Sequence, residues 1–220
     1  MEVSVIYYRA GYEDVEYDER GEETRLRLEL STAIKCPDIL THLTTFKAVQ
    51  HALASSDALQ RFLPAQQAAR LQKTFMPMHT LDEESADGRE ARRWALDPEM
   101  TKSYVLKPNL EGGGHNVFGE DIPEYLRSIP ESEWSRFTLM KMIEPPETMG
   151  LLMMPADIYQ GPVVSELGIL GTCIWKREGK EVTMIENRAA GFTFKTKPAE
   201  ELEMSVVKGY GCFDCPRLSD

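Results

Sequence analysis

The pattern of apolar and polar positions switches repeatedly between the periods of strands and helices, so the chain is predicted to have a mixed α/β (α+β) fold. The β-branched and aromatic residues 3–8 predict a buried strand that ends in a short loop. Residues 22–34 place leucines and an isoleucine among charges and predict a helix. Residues 46–55 and 64–75 both have helical composition and predict two further helices.

The second half of the chain has a stronger strand pattern. Residues 103–108 predict a strand, residues 121–129 a helix and residues 137–146 another strand, which together form a β-loop-α-β unit. Two longer strands are predicted at residues 162–177 and 181–197, joined by a tight turn. Polar residues interrupt these two strands, and buried polar groups need partners, so both strands are candidates for a binding site.

Composition and charge exclude some classes of protein. A chain of 220 residues that is 42% hydrophobic can bury a substantial core, as one large domain or two small ones. Its formal net charge of -11 argues against a general nucleic-acid or anionic-membrane binder. The sequence has no apolar run long enough to span a bilayer and no signal-peptide pattern, so the expected location is cytoplasmic.

Two of the four cysteines, Cys212 and Cys215, have the Cys-x-x-Cys spacing of redox motifs and half zinc sites. A zinc site needs two more ligands at matching spacing, and the sequence offers no second pair. Ordinary thiols are therefore expected, in preference to metal or redox use, at Cys36, Cys173, Cys212 and Cys215.

The most unusual stretch is Lys-Pro-Asn-Leu-Glu-Gly-Gly-Gly-His-Asn at residues 107–116. Three consecutive glycines are costly to order, which suggests that the backbone must approach something closely. The stretch is neither a Walker A loop nor a dinucleotide fingerprint. Its glycines could present N–H groups to an anion, while Lys107 supplies a positive charge and Glu111 a magnesium ligand. From this stretch alone, a phosphate-binding loop and a glycine-rich surface turn remain open alternatives.

The order of six sequence segments favours the phosphate-binding loop over the surface turn. KCPDI, FKAVQ, LKPNLEGGGHNVFGE, LMKMIEPP, SELGILG and TKP closely resemble eukaryotic glutathione synthetase, a member of the ATP-grasp superfamily. The resemblance extends over essentially the whole chain but over only the C-terminal half of the family sequence. Its most specific motif is Lys-Pro-x-x-Glu-Gly-Gly-Gly-x-Asn, followed by an aromatic residue and Gly-Glu.

The resemblance implies an ATP-dependent ligase that joins γ-glutamylcysteine to glycine. ATP would phosphorylate the C-terminal carboxylate of the dipeptide, and the glycine amine would attack the acyl phosphate to give glutathione and phosphate. Such chemistry depends on positioning and charge neutralisation, so no catalytic side chain is expected. The cofactor implied is Mg²⁺, with ATP as a substrate and Glu111 as a metal ligand.

The resemblance also assigns individual residues. The implied ATP-binding residues are Lys47, Lys107, Glu111, Gly112, Gly113, Gly114, Asn116, Phe118, Met140, Lys141, Met142, Ile143, Glu166 and Lys197. Residues 140–143 would contact the adenine edge through their backbone. The implied substrate-binding residues are Arg9, Ala10, Gly11 and Tyr12 for the dipeptide, Lys195 for a substrate carboxylate, and Val206 and Val207 on the glycine side.

The implied architecture is a partial ATP-grasp fold in four segments. Residues 1–45 are part of a substrate-binding domain, and residues 46–80 are a helical part of the ATP-grasp core. Residues 81–159 are a lid that carries the glycine-rich loop, and residues 160–220 are a β-rich part of the core. The acidic connection at the start of residues 80–100 is the best candidate for an internal boundary.

Two departures from the family affect the substrate and the partners. Lys195 stands where the family commonly has arginine, and the loop at residues 204–211 is bulkier and carries Lys208, so an analogue of glycine is an alternative acceptor. The N-terminal half of the family contributes other magnesium ligands, much of the dipeptide pocket and the homodimer contact. A separate N-terminal half or a full-length homologue is therefore an expected partner. The alternative function is a non-catalytic ATP-binding or regulatory partner.

Overall fold

The computed structural model describes residues 2–12, 14–109, 115–154 and 158–216. The chain divides into two compact units, Met1–Ile143 and Glu144–Asp220. The first unit contains helices and short strands, and the second contains a sheet with long strands. The mixed α/β fold class predicted from the sequence is therefore confirmed.

The first unit alternates helices with short strands. Its helices are α1 (Glu19–Glu29), α2 (Ile39–Leu43), α3 (Lys47–Leu53), α4 (Ser56–Gln60), α5 (Ala65–Gln72), α6 (Ala86–Ala95), α7 (Pro98–Thr101) and α8 (Ile122–Ser128). Its strands are β1 (Val5–Tyr7), β2 (Ile34–Cys36), β3 (Met78–Thr80), β4 (Tyr104–Pro108), β5 (Val117–Phe118) and β6 (Phe137–Lys141). Short 3₁₀ helices lie at Asp14–Glu16, Gly119–Asp121 and Glu131–Arg136.

Most of these helices begin at a residue whose side chain accepts a hydrogen bond from the first turn. Such a cap satisfies a backbone N–H that has no partner inside the helix. The capping residues of α1, α2, α4, α6 and α7 are Asp18, Asp38, Ser55, Ser85 and Asp97. The helices predicted at 46–55, 64–75 and 121–129 are confirmed, whereas the helix predicted at 22–34 ends at Glu29, and Ile34 begins a strand.

The central sheet of the first unit has the strand order β3-β6-β4-β5. Leu106 on β4 lies opposite Leu139 on β6, and both are fully buried in the main core cluster. The same cluster includes Ala91 of α6 and Leu126 of α8, so these helices cover that face of the sheet. Alternating side chains point to opposite faces of a strand, so Val105 and Lys107 belong to the other face.

The predicted internal boundary lies inside this unit. Leu81 is fully buried in the core cluster, and α6, which follows the acidic connection, contributes Ala91 and Ala95 to it. The division of the chain into four segments remains a prediction.

The expectation of a buried first strand is wrong. β1 is a short strand that pairs in parallel with β2 in a two-stranded sheet. Val5 is 55% exposed and Tyr7 is 64% exposed, because a two-stranded sheet offers few neighbours on that face.

The second unit is a sheet with the strand order β10-β9-β8-β7. Its strands are β7 (Thr148–Met153), β8 (Ile158–Glu178), β9 (Glu181–Pro198) and β10 (Cys212–Phe213). The two long strands predicted from the sequence are confirmed, and the turn between them uses Gly179 with a φ of 63°, a conformation that glycine adopts readily. Two irregularities shift the β8–β9 register, at Leu170/Gly171 and at Ile174/Trp175.

Candidate functional site

One face of the central sheet brings together three of the predicted ATP-binding residues. Met140 and Phe118 both lie opposite Val105, on the two strands that flank β4. Met140, Val105 and Phe118 therefore form a row on one face of the sheet. Lys107 lies two residues along β4 from Val105 and shares that face. Val105 is buried, while Lys107, Phe118 and Met140 are half-buried. The face therefore combines an aromatic ring, a thioether and a lysine around an apolar floor.

Lys47 lies next to a residue that contacts the segment after β4. Lys47 is the first residue of α3, and the N–H of Ala48 donates to Asn109 Oδ1 at 3.1 Å. Asn109 follows the end of β4, two residues after Lys107. The structure thus brings the two predicted phosphate-binding lysines to neighbouring segments.

Thr138 is a member of this face that the sequence did not single out. It lies opposite Lys107 on β6, is fully buried, and its Oγ1 has no hydrogen-bond partner within the described residues. A buried hydroxyl is normally paired, so Thr138 is a candidate polar contact beside Lys107. The period-2 alternation of β6, in which Thr138 and Met140 share a face, is the signal that could have identified it.

The segment 140–143, predicted to contact adenine, comprises the last two residues of β6 and the two residues that follow it. The N–H of Lys141 donates to Pro77 O at 3.0 Å, and the N–H of Met142 donates to Ser103 O at 2.8 Å. An adenine edge would therefore have to meet other backbone groups of this segment. The side chain of Lys141 belongs to the face opposite Lys107, since Lys141 pairs with Tyr104.

The glycine-rich loop falls largely outside the described residues. Glu111, Gly112, Gly113 and Gly114 all lie there, so their predicted contacts stay predictions. Asn116 is half-buried directly before β5. Within the described ranges, no group of three or more His, Cys, Asp or Glu side chains is arranged to hold a metal ion.

In the second unit, three more predicted residues share one sheet face. Glu166 on β8 lies opposite Lys195 on β9, and Lys195 Nζ is 3.0 Å from Glu166 Oε1. Lys197, two residues along β9, faces the same side. Its ammonium group donates to the carbonyl oxygen of Glu201. Burial lowers the pKa of Lys197 below its usual range, although Glu201 and Glu166 act in the opposite direction.

The opposite face of the same sheet carries a hydrogen-bond network. Thr196 is almost fully buried, and its hydroxyl group is 2.9 Å from Ser165 Oγ and donates to Asp214 Oδ2 at 2.9 Å. Asp214 also donates its backbone N–H to Phe194 O. The network joins β8, β9 and the segment after β10, and so fixes the strand that carries Lys195 and Lys197.

The predicted glycine-side residues lie on a tight loop after β9. The loop is closed by a bridge between Ser205 and Tyr210, with the N–H of Tyr210 donating to Ser205 O at 2.8 Å. Val206 is half-buried and Val207 is 99% exposed. Val207 therefore makes few contacts within the described chain.

The predicted dipeptide loop, Arg9 to Tyr12, lies against the start of α1 in the first unit. The backbone N–H groups of Gly11 and Tyr12 donate to the two carboxylate oxygens of Glu16, at 3.0 and 2.7 Å. Sequence reasoning missed Glu16, because an isolated glutamate in an acidic stretch gives no signal of its contacts.

The four cysteines are free thiols. Burial, with a contribution from Asp214, raises the pKa of the Cys212 thiol. No helix in the described part of the chain is both long and apolar enough to cross a membrane.

Comparisons with known proteins place these elements in a family. Residues 9–218 match the family model described as eukaryotic glutathione synthase, ATP binding domain. The chain is 38% identical to the glutathione synthetase large chain of Schizosaccharomyces pombe over 220 residues, which is 100% of this chain and 43% of that protein. It is 38% identical to the glutathione synthetase of Bos taurus over 222 residues, covering 98% of this chain and 45% of that protein.

A solved structure shares the fold. The apo form of a glutathione synthetase-like effector, GSS30 from Globodera pallida, superposes with a TM-score of 0.61 at 21% identity, over 90% of this chain and 40% of that chain. The chain spans less than half the length of the curated relatives that it matches. Since the family model covers nearly all of its residues, the chain belongs to the eukaryotic glutathione synthase ATP-binding domain family.

Proposed function

We propose that this chain is the ATP-binding part of a glutathione synthase-type carbon–nitrogen ligase. The reaction joins γ-glutamylcysteine to glycine through an acyl phosphate formed from ATP. The observation that carries the proposal is the sheet face shared by Lys107, Phe118 and Met140, within a chain that matches the family model from residue 9 to residue 218.

The geometry of this face suits a nucleotide. A purine ring can pack against Phe118 and Met140 over Val105, while Lys107 and Lys47 neutralise phosphate charge. Lysine is a compact point charge and a common phosphate ligand. Mg²⁺, held by Glu111, would neutralise the phosphoryl group that is transferred. Lys197 and Glu166 remain predicted ATP-binding residues in this proposal.

The substrates use other residues in this proposal. The loop Arg9–Tyr12 binds the dipeptide, Lys195 binds a substrate carboxylate, and Val206 and Val207 border the glycine. The chain's own contribution is to orient the reacting carboxylate and to stabilise the negative charge that develops on the phosphoryl group. A separate N-terminal half or a full-length homologue completes the site.

A second candidate function is a non-catalytic ATP-binding or regulatory partner. The observation that favours it is the match of residues 9–218 to a family model described as an ATP binding domain. Nucleotide binding would be retained in this case and turnover would be lost.

Phosphate release separates the two candidates. The chain is incubated with ATP, Mg²⁺, γ-glutamylcysteine and glycine, alone and with a separately produced N-terminal half of a relative. Phosphate release that requires both the dipeptide and glycine supports the ligase. ATP binding without phosphate release, even in the presence of the added half, supports the non-catalytic partner.

A further inference from the structure

The loop Arg9–Tyr12 is held by a single carboxylate that uses both of its oxygens. Glu16 Oε1 accepts from the N–H of Gly11 at 3.0 Å, and Glu16 Oε2 accepts from the N–H of Tyr12 at 2.7 Å. Two hydrogen bonds from consecutive backbone amides to one carboxylate fix the orientation of the peptide between them. Hydrogen bonds to a charged acceptor are also stronger than those between neutral groups.

Two tyrosine hydroxyls donate hydrogen bonds to backbone carbonyl groups in and beside the loop. The hydroxyl of Tyr17 donates to Gly11 O at 2.8 Å, and the hydroxyl of Tyr12 donates to Tyr8 O at 3.1 Å. Gly11 has a φ of 82°, and a Cβ at this position would lie 2.7 Å from Tyr17 Oη. This conformation of the loop therefore requires glycine at residue 11.

Arg25 on α1 contacts Tyr8, directly before this loop, and Glu29. The guanidinium of Arg25 on α1 lies 3.8 Å from the centre of the Tyr8 ring and 2.8 Å from Glu29 Oε1. Its side chain is nearly buried. Glu16 belongs to the 3₁₀ turn that leads into α1, which places its backbone close to the loop.

The loop borders a concave surface. A cavity of about 400 Å³ is lined by Ala10 and Gly11 on the loop and by Glu16, Tyr17 and Arg25 below it. The shape of this cavity depends on the same hydrogen bonds that hold the loop.

We propose that Glu16 is a positioning residue for dipeptide binding, acting through the backbone of Gly11 and Tyr12. This inference rests on the proposed role of Arg9–Tyr12 in binding γ-glutamylcysteine. Glu16 holds the loop in its binding conformation before the substrate arrives, so the substrate does not bear the cost of ordering it.

The test compares Glu16→Gln with Glu23→Gln, which makes the same change of charge at an exposed position on α1. Calorimetry measures the affinity of each variant for ATP with Mg²⁺ and then for γ-glutamylcysteine, in the presence of the N-terminal half used for turnover. Glu16→Gln is expected to weaken dipeptide binding by a few-fold to roughly tenfold, because one amide loses its charged acceptor at an exposed position. The ATP affinity of Glu16→Gln should match that of the wild type. Glu23→Gln should match the wild type in its affinity for both ATP and γ-glutamylcysteine.

Amide hydrogen exchange provides a second measurement that does not depend on substrate. Exchange at Gly11 and Tyr12 is expected to accelerate in Glu16→Gln, while exchange in α1 remains unchanged. Equal exchange, equal dipeptide affinity in the two variants, or a wild-type protein that binds ATP but no dipeptide would each overturn the role of Glu16. Loss of ATP binding in the wild type would instead contradict the proposed function.

Discussion

Lys195 and Glu166 form an ion pair across β8 and β9, with 3.0 Å between Nζ and Oε1. Their side chains are 28% and 54% exposed, so solvent screens the attraction. A double-mutant cycle with Glu166→Gln and Lys195→Met should give a coupling free energy of about 0.2–1 kcal/mol. Urea unfolding measures it, and the coupling should shrink when the salt concentration is raised to 1 M.

A control cycle pairs Glu166→Gln with Lys180→Met, since Lys180 lies at the distant hairpin turn. This cycle should give no coupling. A coupling between Glu166 and Lys195 that exceeds roughly 2 kcal/mol, or one that is unaffected by salt, would show that the pair is more isolated from solvent than the structure indicates.

Ionisation of Asp82 should make the stability of the first unit depend on pH in the acid range. The backbone N–H of Ser85 and the hydroxyls of Thr80 and Ser85 donate to its carboxylate at 2.7–2.8 Å and lower its pKa from 3.8 to about 2. Because the folded-state pKa is depressed, the stabilisation is complete above pH 3.8 and disappears as the pH falls toward 2. Relative to Asp82→Asn, the wild type should be more stable by up to roughly 2 kcal/mol at pH 6.

Urea unfolding of both proteins between pH 2 and pH 6 measures this difference. The gap in the free energy of unfolding should close as the pH is lowered. A gap that stays constant over this range would mean that the ionisation of Asp82 is not linked to folding.

Gly88 should be intolerant of alanine even though it lies in α6. A Cβ at Gly88 would lie 2.1 Å from the backbone oxygen of Asp82, which cannot move without disturbing the cap of the helix. Alanine normally stabilises a helix relative to glycine by about 1 kcal/mol. Gly88→Ala is instead expected to lower the midpoint of thermal unfolding, whereas Gly191→Ala, with no atom within 4 Å of its Cβ, should change it little. Equal midpoints for the two variants would contradict the close approach.

Lys197 should carry a pH-dependent cost to stability. Burial lowers its folded-state pKa below the usual 10.5, so the unfolded chain binds more protons between these two values. Stability relative to Lys197→Met should therefore rise with pH as the pH passes through the lowered pKa toward 10.5. Urea unfolding from pH 7 to pH 10.5 measures it, with Lys180→Met at the exposed turn as the control. A rise no larger than that of the control would contradict the desolvation of Lys197.

The strands and helices with strong periodicity could be predicted from the sequence. β4, α8 and the β8–β9 hairpin match their predicted segments, whereas β6 begins at Phe137 as predicted but ends at Lys141, five residues before the predicted end at residue 146. The five-residue helices α2 and α4 were not identified, because one turn is too short to show a period and each depends on its capping residue.

The pairing of Glu166 with Lys195 could not be predicted, although both residues were candidates. The turn sets Glu178 opposite Glu181, and a regular ladder from that point would place Thr193 opposite Glu166. The two register shifts, at Leu170/Gly171 and Ile174/Trp175, move β9 along by two residues and bring Lys195 there instead. Nothing in the local sequence identifies such shifts. Glu16 was missed for a similar reason, since its role depends on contacts with the backbone of a preceding loop. Thr138 could have been identified from the alternation of β6.

The most direct test of the account is the affinity of the chain for ATP with Mg²⁺, measured by isothermal titration calorimetry. Binding should be detectable, alone or with the added N-terminal half, and Lys107→Ala should weaken it roughly tenfold or more, as expected for the loss of a charged contact to phosphate. Glu111→Gln should weaken binding through the metal, and Lys180→Ala should match the wild type. No ATP binding under either condition, or equal affinities for Lys107→Ala and Lys180→Ala, would contradict the central claim.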